Sequence, residues 1–353
     1  MRTRDDLRML QALPLDLKIA MTKQRIHQWI RHYGQEGVYL SWSGGKDSTV
    51  LRHIIMQDYP NVECVFVNTG LEYPEIQRFV KDAKDRGEPV TILRPKMRFD
   101  EVIKKYGYPI ISKDVSECVY GGRKALQKND GKYTYRLKRL YGDVKVKGSF
   151  FDLSKWEPLL HVDFRISSNC CDVMKKGPVK LHAKQTGKCP ITAQMACESK
   201  LRTQKWLQNG CNGFDMKSPI SNPMSFWLEQ DVLEYIKRFG VEIPSVYGEI
   251  VYKDAPEQIR IEESLCDGIG CDPLCTTGCS RTGCIFCGFG AHLEKGESRF
   301  ERLKRTHPRQ YEYCIGGGEY NEDGVWQPNK QGLGMGHVFD ELNRLYGDGF
   351  IKY

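Results

Sequence analysis

The sequence predicts an α/β protein built on a doubly wound parallel sheet, with a Cys-rich C-terminal extension. Three observations carry that expectation. Short apolar runs at Val38–Trp42, Val62–Val67 and Val90–Leu93 alternate with helix-patterned stretches, which is the arrangement of βαβ units. The run Val62–Val67 is almost continuously β-branched and apolar, as strands covered on both faces of a parallel sheet are. The first run ends in Ser43-Gly44-Gly45-Lys46-Asp47-Ser48, a glycine turn of the kind that feeds a strand into a helix.

Taken in order, Leu17–Tyr33 has helical apolar spacing through Ile19, Ile26, Trp29 and Ile30. After the glycine turn, Val50, Leu51, Ile54 and Ile55 share one helix face. Tyr73–Asp85 reads as helix, and a later strand is expected around Pro190-Ile191-Thr192. A helix is expected over Trp227–Phe239, opened by Ser225, with Glu229 and Asp231 in its early turns, where acidic groups meet the positive end of the helix dipole. The tail 288–353 reads as loops with short helices. The expected division is a helical segment over 1–35, the sheet domain over 36–255, and a metal-binding segment with a tail over 256–353.

Composition bounds the function classes. The 353 residues are 40% hydrophobic and 28% charged, with a mean hydropathy of −0.53, as in globular proteins. No apolar run approaches the ~18 residues of a membrane span. The first ten residues carry three Arg and two Asp, so no secretory signal is expected, and a cytoplasmic location is. The net charge of +8 matters only where it is concentrated. Residues 121–148 hold nine Lys/Arg against two Asp, a net +7, which is nearly the whole excess. Such a run is usually a solvated face. Here Tyr120, Tyr133, Tyr135 and Tyr141 are interleaved with the cations, as they would be on a nucleic-acid surface.

Fourteen Cys is a high count, and six of them (Cys266, Cys271, Cys275, Cys279, Cys284 and Cys287) fall within 22 residues. Reduced thiolates binding a metal or a cluster explain this better than disulfides. Cys284-x-x-Cys287 is a two-ligand clip common to zinc and iron–sulfur sites. Cys170-Cys171 supplies two more thiols, and Cys279 is a further candidate because Thr277-Gly278-Cys279 is echoed by Thr282-Gly283-Cys284. For Cys64, Cys118, Cys189, Cys197 and Cys211 the ordinary reading is a small hydrophobe.

The glycine turn has the chemistry of a phosphate loop. Gly44 and Gly45 let the backbone approach an anion, the helix-start amides carry partial positive charge, Lys46 adds a full charge, and Ser43 and Ser48 can donate. It is not a Walker A loop: Leu40 stands where the first Gly belongs, and Asp47 follows Lys46 in place of Ser or Thr.

At these residues the sequence resembles a family. SGGKDS after the first strand is similar to the PP-loop of N-type ATP pyrophosphatases, and its companions place it nearest the phosphoadenosine phosphosulfate (PAPS) reductase family. Val67-Asn68-Thr69-Gly70-Leu71-Glu72-Tyr73-Pro74-Glu75 resembles the second-strand motif, with Asn68 where Asp is frequent. Cys170-Cys171 with Lys175-Lys176-Gly177-Pro178 resembles the double-cysteine helix. Ile191–Arg202, containing Glu198, Ser199 and Arg202, resembles the second nucleotide loop, with Ala193 where Gly is usual. Asn222-Pro223 to Trp227, then Asp231-Val232 and Tyr235-Ile236, completes a resemblance over roughly residues 35 to 300.

The resemblance implies an adenine nucleotide alpha hydrolase-like fold with nucleotide at the carboxyl ends of the strands. It implies ATP bound by residues 43–48, Asn68, Thr69, Gly70, Glu198 and Ser199, with Lys46, Asp47 and Arg202 in catalysis. Asp47 either holds Mg²⁺ or caps the helix; Arg202 either holds phosphate or pairs with Glu198. A double Cys with a distant CxxC resembles the [4Fe–4S] arrangement of sulfonucleotide reductases, with four ligands drawn from Cys170, Cys171, Cys279, Cys284 and Cys287. Cys266, Cys275, Cys284 and Cys287 also follow a spacing similar to the iron–sulfur protein of DNA phosphorothioation systems. Zinc is the rival metal.

Three functions follow from the resemblance. The first is ATP-dependent activation of an acceptor for sulfur transfer, such as nucleic-acid thiolation through residues 121–148, with a cysteine desulfurase or other sulfur donor as partner. The second is an assimilatory PAPS or APS reductase. The reductases carry a nucleophilic Cys in a C-terminal Glu-Cys-Gly-type segment; no Cys follows Cys314 in this sequence, and Cys314 matches no reductase motif. The sulfur-transfer reading is therefore preferred. The third is a non-catalytic nucleotide-binding assembly partner.

Overall fold

The computed structural model describes residues 2–128, 134–253 and 273–353. The described chain divides into two compact units that interleave along the sequence. The first comprises 1–68, 72–93 and 179–282, and the second 69–71, 94–178 and 283–353.

The first unit carries a six-stranded sheet in the spatial order Val90–Leu93, Glu63–Val67, Val38–Ser41, Cys189–Ile191, Ile220–Ser221, Asn212–Gly213. All neighbours are parallel except the last pair. Its central members are short β-branched and aromatic runs, and Val38, Tyr39 and Leu40 are fully buried. Successive strands step outward from Val38–Ser41 on one side, and the chain then returns to its other side. With right-handed crossovers, that reversal winds helices onto both faces. It also makes the carboxyl end of Val38–Ser41 the switch point where such sheets bind ligands. The α/β class expected from the sequence is the class observed.

The helix over residues 15–33 is part of this unit and not a separate segment. Its Lys18 ammonium is buried and donates to both oxygens of Asp231, at 2.8 and 2.7 Å. Its Thr22 hydroxyl accepts from the indole of Trp227 at 2.8 Å. Asp231 also accepts from the Leu228 amide at 2.6 Å, so one carboxylate caps the helix Glu229–Phe239 and neutralises a buried cation. That helix begins later than expected, and Ser225 does not open it: its hydroxyl donates to the Asn222 carbonyl at 2.6 Å.

The second unit is mainly helical, with the helices Phe99–Tyr106, Lys113–Lys128, Tyr135–Leu140, Arg299–Thr306, Pro308–Ile315 and Met335–Tyr346. Ile110–Ile111 pairs in parallel with Gly288–Phe289, and Glu319–Tyr320 antiparallel with Trp326–Gln327. Phe300, Leu303, Phe339 and Leu342 form part of its core, and Tyr108 donates to the Leu333 carbonyl at 2.7 Å. The tail is therefore an ordered partner of residues 94–178, and the expected boundary at 255/256 is not where the units divide. Among the described residues no helix is long and apolar enough to cross a membrane.

Candidate functional site: a phosphate loop and a thiol cavity

In the first unit, Val38–Ser41 runs into Trp42, whose indole donates to Thr49 Oγ1 at 3.1 Å and fixes the turn. Gly44 adopts φ +71°, and a Cβ there would lie 2.6 Å from the Ile76 side chain. A side chain at this position is excluded twice, by backbone conformation and by space. Ser43 is tied to Ser48: its amide donates to Ser48 Oγ at 3.2 Å, and the two hydroxyls lie 3.0 Å apart. The loop is a formed cradle at the start of the helix Lys46–Asp58.

Lys46 is 2% exposed. Its ammonium donates to the Ser280 carbonyl at 2.9 Å and pairs with Glu229 at 3.1 Å, with Asp47 Oδ1 at 3.6 Å. Its amide donates to the Tyr247 hydroxyl at 3.1 Å, which lies 2.6 Å from Thr282 Oγ1. Burial pushes the Tyr247 phenol up to about 12, so it keeps its proton while its oxygen accepts from the Lys46 amide. Asp47 Oδ1 is buried and accepts no hydrogen bond. A carboxylate oxygen so placed beside a phosphate loop fits a hard divalent cation such as Mg²⁺.

The second nucleotide loop lies in the same unit. Ser199 caps the helix Lys200–Asn209, accepting from the Arg202 amide at 3.3 Å. Glu198 accepts from the Met195 amide at 2.9 Å and forms an ion pair with Arg202. The Arg202 guanidinium is held below its usual range by burial first and then by the like charge of Arg281, against the attraction of Asp47. Two guanidinium groups repelling one another beside Asp47 form a site that an added anion would stabilise. Asn68 belongs to this unit, where its amide donates to the Leu93 carbonyl at 2.9 Å. Thr69 and Gly70 belong to the other unit, where Thr69 Oγ1 accepts from the Leu71 amide at 3.1 Å. Tyr247, Thr282, Glu229 and Arg281 were not expected at the loop. They are distant in sequence and carry no motif of their own, so only folding brings them there.

In the second unit, Cys170, Cys171, Cys284 and Cys287 line one small cleft, together with Leu71, Phe99, Pro109, Met174 and Lys175. Cys284 and Cys287 are set by a turn in which the Cys287 amide donates to the Cys284 carbonyl at 3.1 Å. The Ile285 amide is anchored on the Leu71 carbonyl at 2.8 Å. Cys170 and Cys171 open a helical stretch that passes into a π-turn over Asp172–Lys176, a distortion frequent at functional sites. The Cys171 thiol is pulled down to about 6, first by a hydrogen bond from Cys170 and then, against burial, by Lys113 and Lys175. Cys170 moves up as the donor of that bond, with burial and the charges of Cys171, Cys287 and Cys284 adding to the effect. Burial, then Cys284, pushes Cys287 up to about 11.

The four thiols therefore share one largely apolar enclosure with cations at its edge. Among the described residues no three His, Cys, Asp or Glu side chains converge as the ligands of a single ion do. Four thiols in one enclosure are a donor set that suits a zinc ion or an iron–sulfur cluster alike.

Cys279 does not line this cleft. It is buried in the first unit, where its amide donates to the Val246 carbonyl at 2.9 Å. Cys275 is in the first unit as well, on the strand Leu274–Thr276. Cys266, a member of the alternative spacing with Cys275, lies outside the described residues. Cys314 is fully buried, with its thiol directed at the Met335 sulfur at 3.5 Å. Burial raises it well above the usual thiol range.

Residues 37–114 match the family model described as phosphoadenosine phosphosulfate reductase domain. Over this segment the chain is similar to the PAPS reductase family. It is 31% identical over 90 residues to adenosine 5'-phosphosulfate reductase of Geobacillus kaustophilus, covering 25% of this chain and 38% of that one. It is 31% identical over 77 residues to phosphoadenosine 5'-phosphosulfate reductase of Xanthomonas axonopodis pv. citri, covering 22% of this chain and 32% of the relative. The chain thus spans little more than a third of the curated relatives it matches. A solved PAPS reductase from Candida auris aligns over 72% of this chain and 96% of its own at 15% identity, with a TM-score of 0.38. The family segment contains the phosphate loop and the motif around Thr69-Gly70; the four cleft thiols and Arg202 lie outside it.

Proposed function

We propose that this protein is an ATP pyrophosphatase-type enzyme of the PAPS reductase family that activates an acceptor for sulfur transfer. The observation that carries the reading is the loop itself: a buried Lys46 at a helix start, a glycine cradle, and a buried Asp47 oxygen accepting no hydrogen bond. An acceptor oxygen attacks the α-phosphorus of ATP, the bond to the bridging oxygen breaks, and pyrophosphate leaves with the electron pair. Loop amides and the Lys46 ammonium stabilise the charge that develops on that leaving group. A phosphate in the cradle replaces Tyr247 on the Lys46 amide and Ser280 on its ammonium, both neutral acceptors exchanged for anionic oxygens. Asp47 is the residue that would hold Mg²⁺, which supplies Lewis-acid stabilisation to the phosphates. Arg202, from the second nucleotide loop, and Arg281, next to Thr282, serve the same charge.

In the same reading, Cys170, Cys171, Cys284 and Cys287 would hold a [4Fe–4S] cluster, with zinc as the rival. A sulfur nucleophile from a donor such as a cysteine desulfurase then attacks the adenylated centre, and AMP leaves. The test is pyrophosphate release from ATP by anaerobically purified protein, with iron and sulfide analysis on the same sample. Pyrophosphate formation with iron and sulfide present supports the reading; a failure to bind ATP or pyrophosphate overturns it.

The second reading is a sulfonucleotide reductase, favoured by the names of the curated relatives. It requires a thiol able to reach the sulfonucleotide sulfur. Cys314, the candidate substitute, is enclosed and keeps its proton. Reduction of PAPS or APS to sulfite with a thiol donor, without ATP, would establish this reading against the first.

A further inference from the structure

The net +7 stretch separates into two parts. Several of its cations are structural. Arg123 donates to the carbonyls of Phe164, Leu159 and Val162 at 2.5, 2.6 and 2.9 Å. Arg139 is 6% exposed and forms a two-pronged pair with Asp114 at 2.9 and 2.7 Å. Arg136 pairs with Glu117 at 2.8 Å. Lys132 and Tyr133 lie outside the described residues. Arg123 and Arg139 are therefore not part of a solvated face: they hold the unit together, because a guanidinium can satisfy several carbonyls or a carboxylate fork at once.

What they hold in place is unusual. The loop after the helix Tyr135–Leu140 exposes Phe150 at 78% and Phe151 at 54%, with Val146 and Tyr135 also exposed. Six of the fourteen exposed large hydrophobic residues among those described fall between Leu126 and Phe151, so the patch is concentrated. Isolated exposed apolar groups are ordinary, whereas clustered ones mark interaction sites. The loop is also braced. Arg139 donates to the carbonyls of Phe151 and Phe150 at 3.0 and 3.4 Å. Asp152 accepts from the amides of Gly148 and Ser154 at 2.7 and 3.0 Å. The two rings meet edge to face at 5.7 Å. A buried, carboxylate-anchored arginine thus pins the backbone that carries two exposed rings, and the ordering cost of presenting them is met in the fold. Lys145 and Lys147 are exposed on the same loop.

We infer that the loop 141–151, with Tyr135, is a binding surface for single-stranded nucleic acid. Pre-positioned rings take up unstacked bases by their faces, and flanking lysines follow the phosphates. Exposed rings alone would suit a protein partner as well; the lysines set among them, a residue depleted at protein interfaces, favour a phosphate-bearing strand. As the acceptor site of the proposed sulfur transfer, the surface rests on that reading; its binding chemistry does not. Phe150 and Phe151 were not singled out from the sequence for this role, and Arg139 was expected there as a phosphate contact rather than as the brace of the loop. Two adjacent Phe after a charged stretch look like the return to a core, and only the structure shows them outside it.

The experiment is fluorescence anisotropy of the full chain with labelled oligothymidylate and oligouridylate of about 20 nucleotides, a duplex of the same length, and phosphatidylserine vesicles. Salt is varied between about 50 and 200 mM. Both single strands are expected to bind at least about tenfold more tightly than duplex. A preference between the two decides between DNA and RNA as the source of the strand. Phe150→Ala with Phe151→Ala is expected to weaken binding about tenfold or more with the salt slope unchanged, because stacking is lost and phosphate contacts remain. Lys145→Ala with Lys147→Ala is expected to flatten the log–log slope by about 1.4, at about 0.7 per phosphate on single strands. Neither pair touches the ATP loop. No binding of either strand at the lowest salt, equal binding of duplex, or indifference to the Phe pair overturns the inference. Binding to the vesicles alone replaces it with a membrane surface. Strand binding that follows these rules in a protein unable to release pyrophosphate leaves this surface standing and removes only the sulfur-transfer reading.

Discussion

The phosphate loop and the thiol cleft solve opposite problems with opposite materials. The loop is contiguous, six residues between one strand and one helix, and polar. Its charges are matched by neighbours, Lys46 by Glu229 and Asp47. The cleft is discontinuous, with thiols from positions 170–171 and 284–287 enclosed by Leu71, Phe99, Pro109 and Met174. Its charge is relieved by Lys113 and Lys175 at Cys171, by Arg299 at Cys287, or by ligands that neutralise thiolates. A local motif can place a cradle because strand–turn–helix geometry is short-range. A four-thiolate enclosure needs the chain to return over a hundred residues later. Each site should therefore tolerate loss of the other, because metal binding contributes folding energy to the segments it joins and the loop is built by its own strand, turn and helix.

The largest expected effect tests the cleft. Cys284→Ser should abolish the iron and sulfide of anaerobically purified protein while ATP or pyrophosphate binding persists. Stoichiometric zinc without iron or sulfide in the wild type would replace the cluster by a structural zinc site. Cys279→Ser, by contrast, should leave iron content unchanged, and its loss would return Cys279 to the ligand set. Next comes the loop. Lys46→Ala removes a buried charge from the leaving group and should lower pyrophosphate release by about 10² or more while leaving iron content intact. Equal rates in the mutant and the wild type would separate the loop from catalysis.

A smaller effect concerns what holds the loop's sheet in place. Lys18→Met leaves Asp231 buried without its cation, which should destabilise the first unit by about 3 kcal/mol or more. Thermal unfolding of the single mutant and of Lys18→Met with Asp231→Asn should show the double variant recovering part of the loss. The smallest effect is a pH dependence in the same sheet. Burial pushes the Glu63 carboxyl up, but hydrogen bonds from Lys188 and Thr91 and the charge of His182 outweigh it, and the net shift is downward. A carboxylate so lowered contributes stability above its ordinary value of 4.5 and loses it as pH falls through the lower folded value. Lys188→Ala should shrink that acid-side loss. An unchanged acid limb would show that the 2.8 Å pair contributes nothing measurable.

Much of the first unit was legible because its signals are local. Strand runs at Val38, Val62 and Val90, the helix faces of Ile26–Ile30 and Val50–Ile55, and the glycine turn each depend on residues within one or two turns of chain. The ends of elements were less legible: Ser225 stood where a cap belonged, and its hydroxyl went instead to Asn222, because Asp231 was already capping the helix from within. The candidate ligands illustrate the same limit. Cys279 and Cys284 carry the same Thr-Gly-Cys context, and no local rule ranks one above the other. The turn at Ile285, held by Leu71, carries Cys284 and Cys287 into the cleft, while the Val246 carbonyl holds Cys279 in the other unit.

By itself the sequence determined the α/β class, the phosphate cradle and the pool of thiols from which a metal site would be drawn. Periodicity, glycine conformation and thiol chemistry are properties of the residues in place. Tertiary structure alone decided which four thiols share an enclosure, that Tyr247 and Glu229 stand at Lys46, and that the 15–33 helix belongs to the sheet. It also decided that Arg139 turns inward while Phe150 and Phe151 turn out. Each of these is a choice of partner among many of equal local chemistry. That choice is made by burial and by the demand that every buried charge find its counterpart, which acts on the folded chain as a whole.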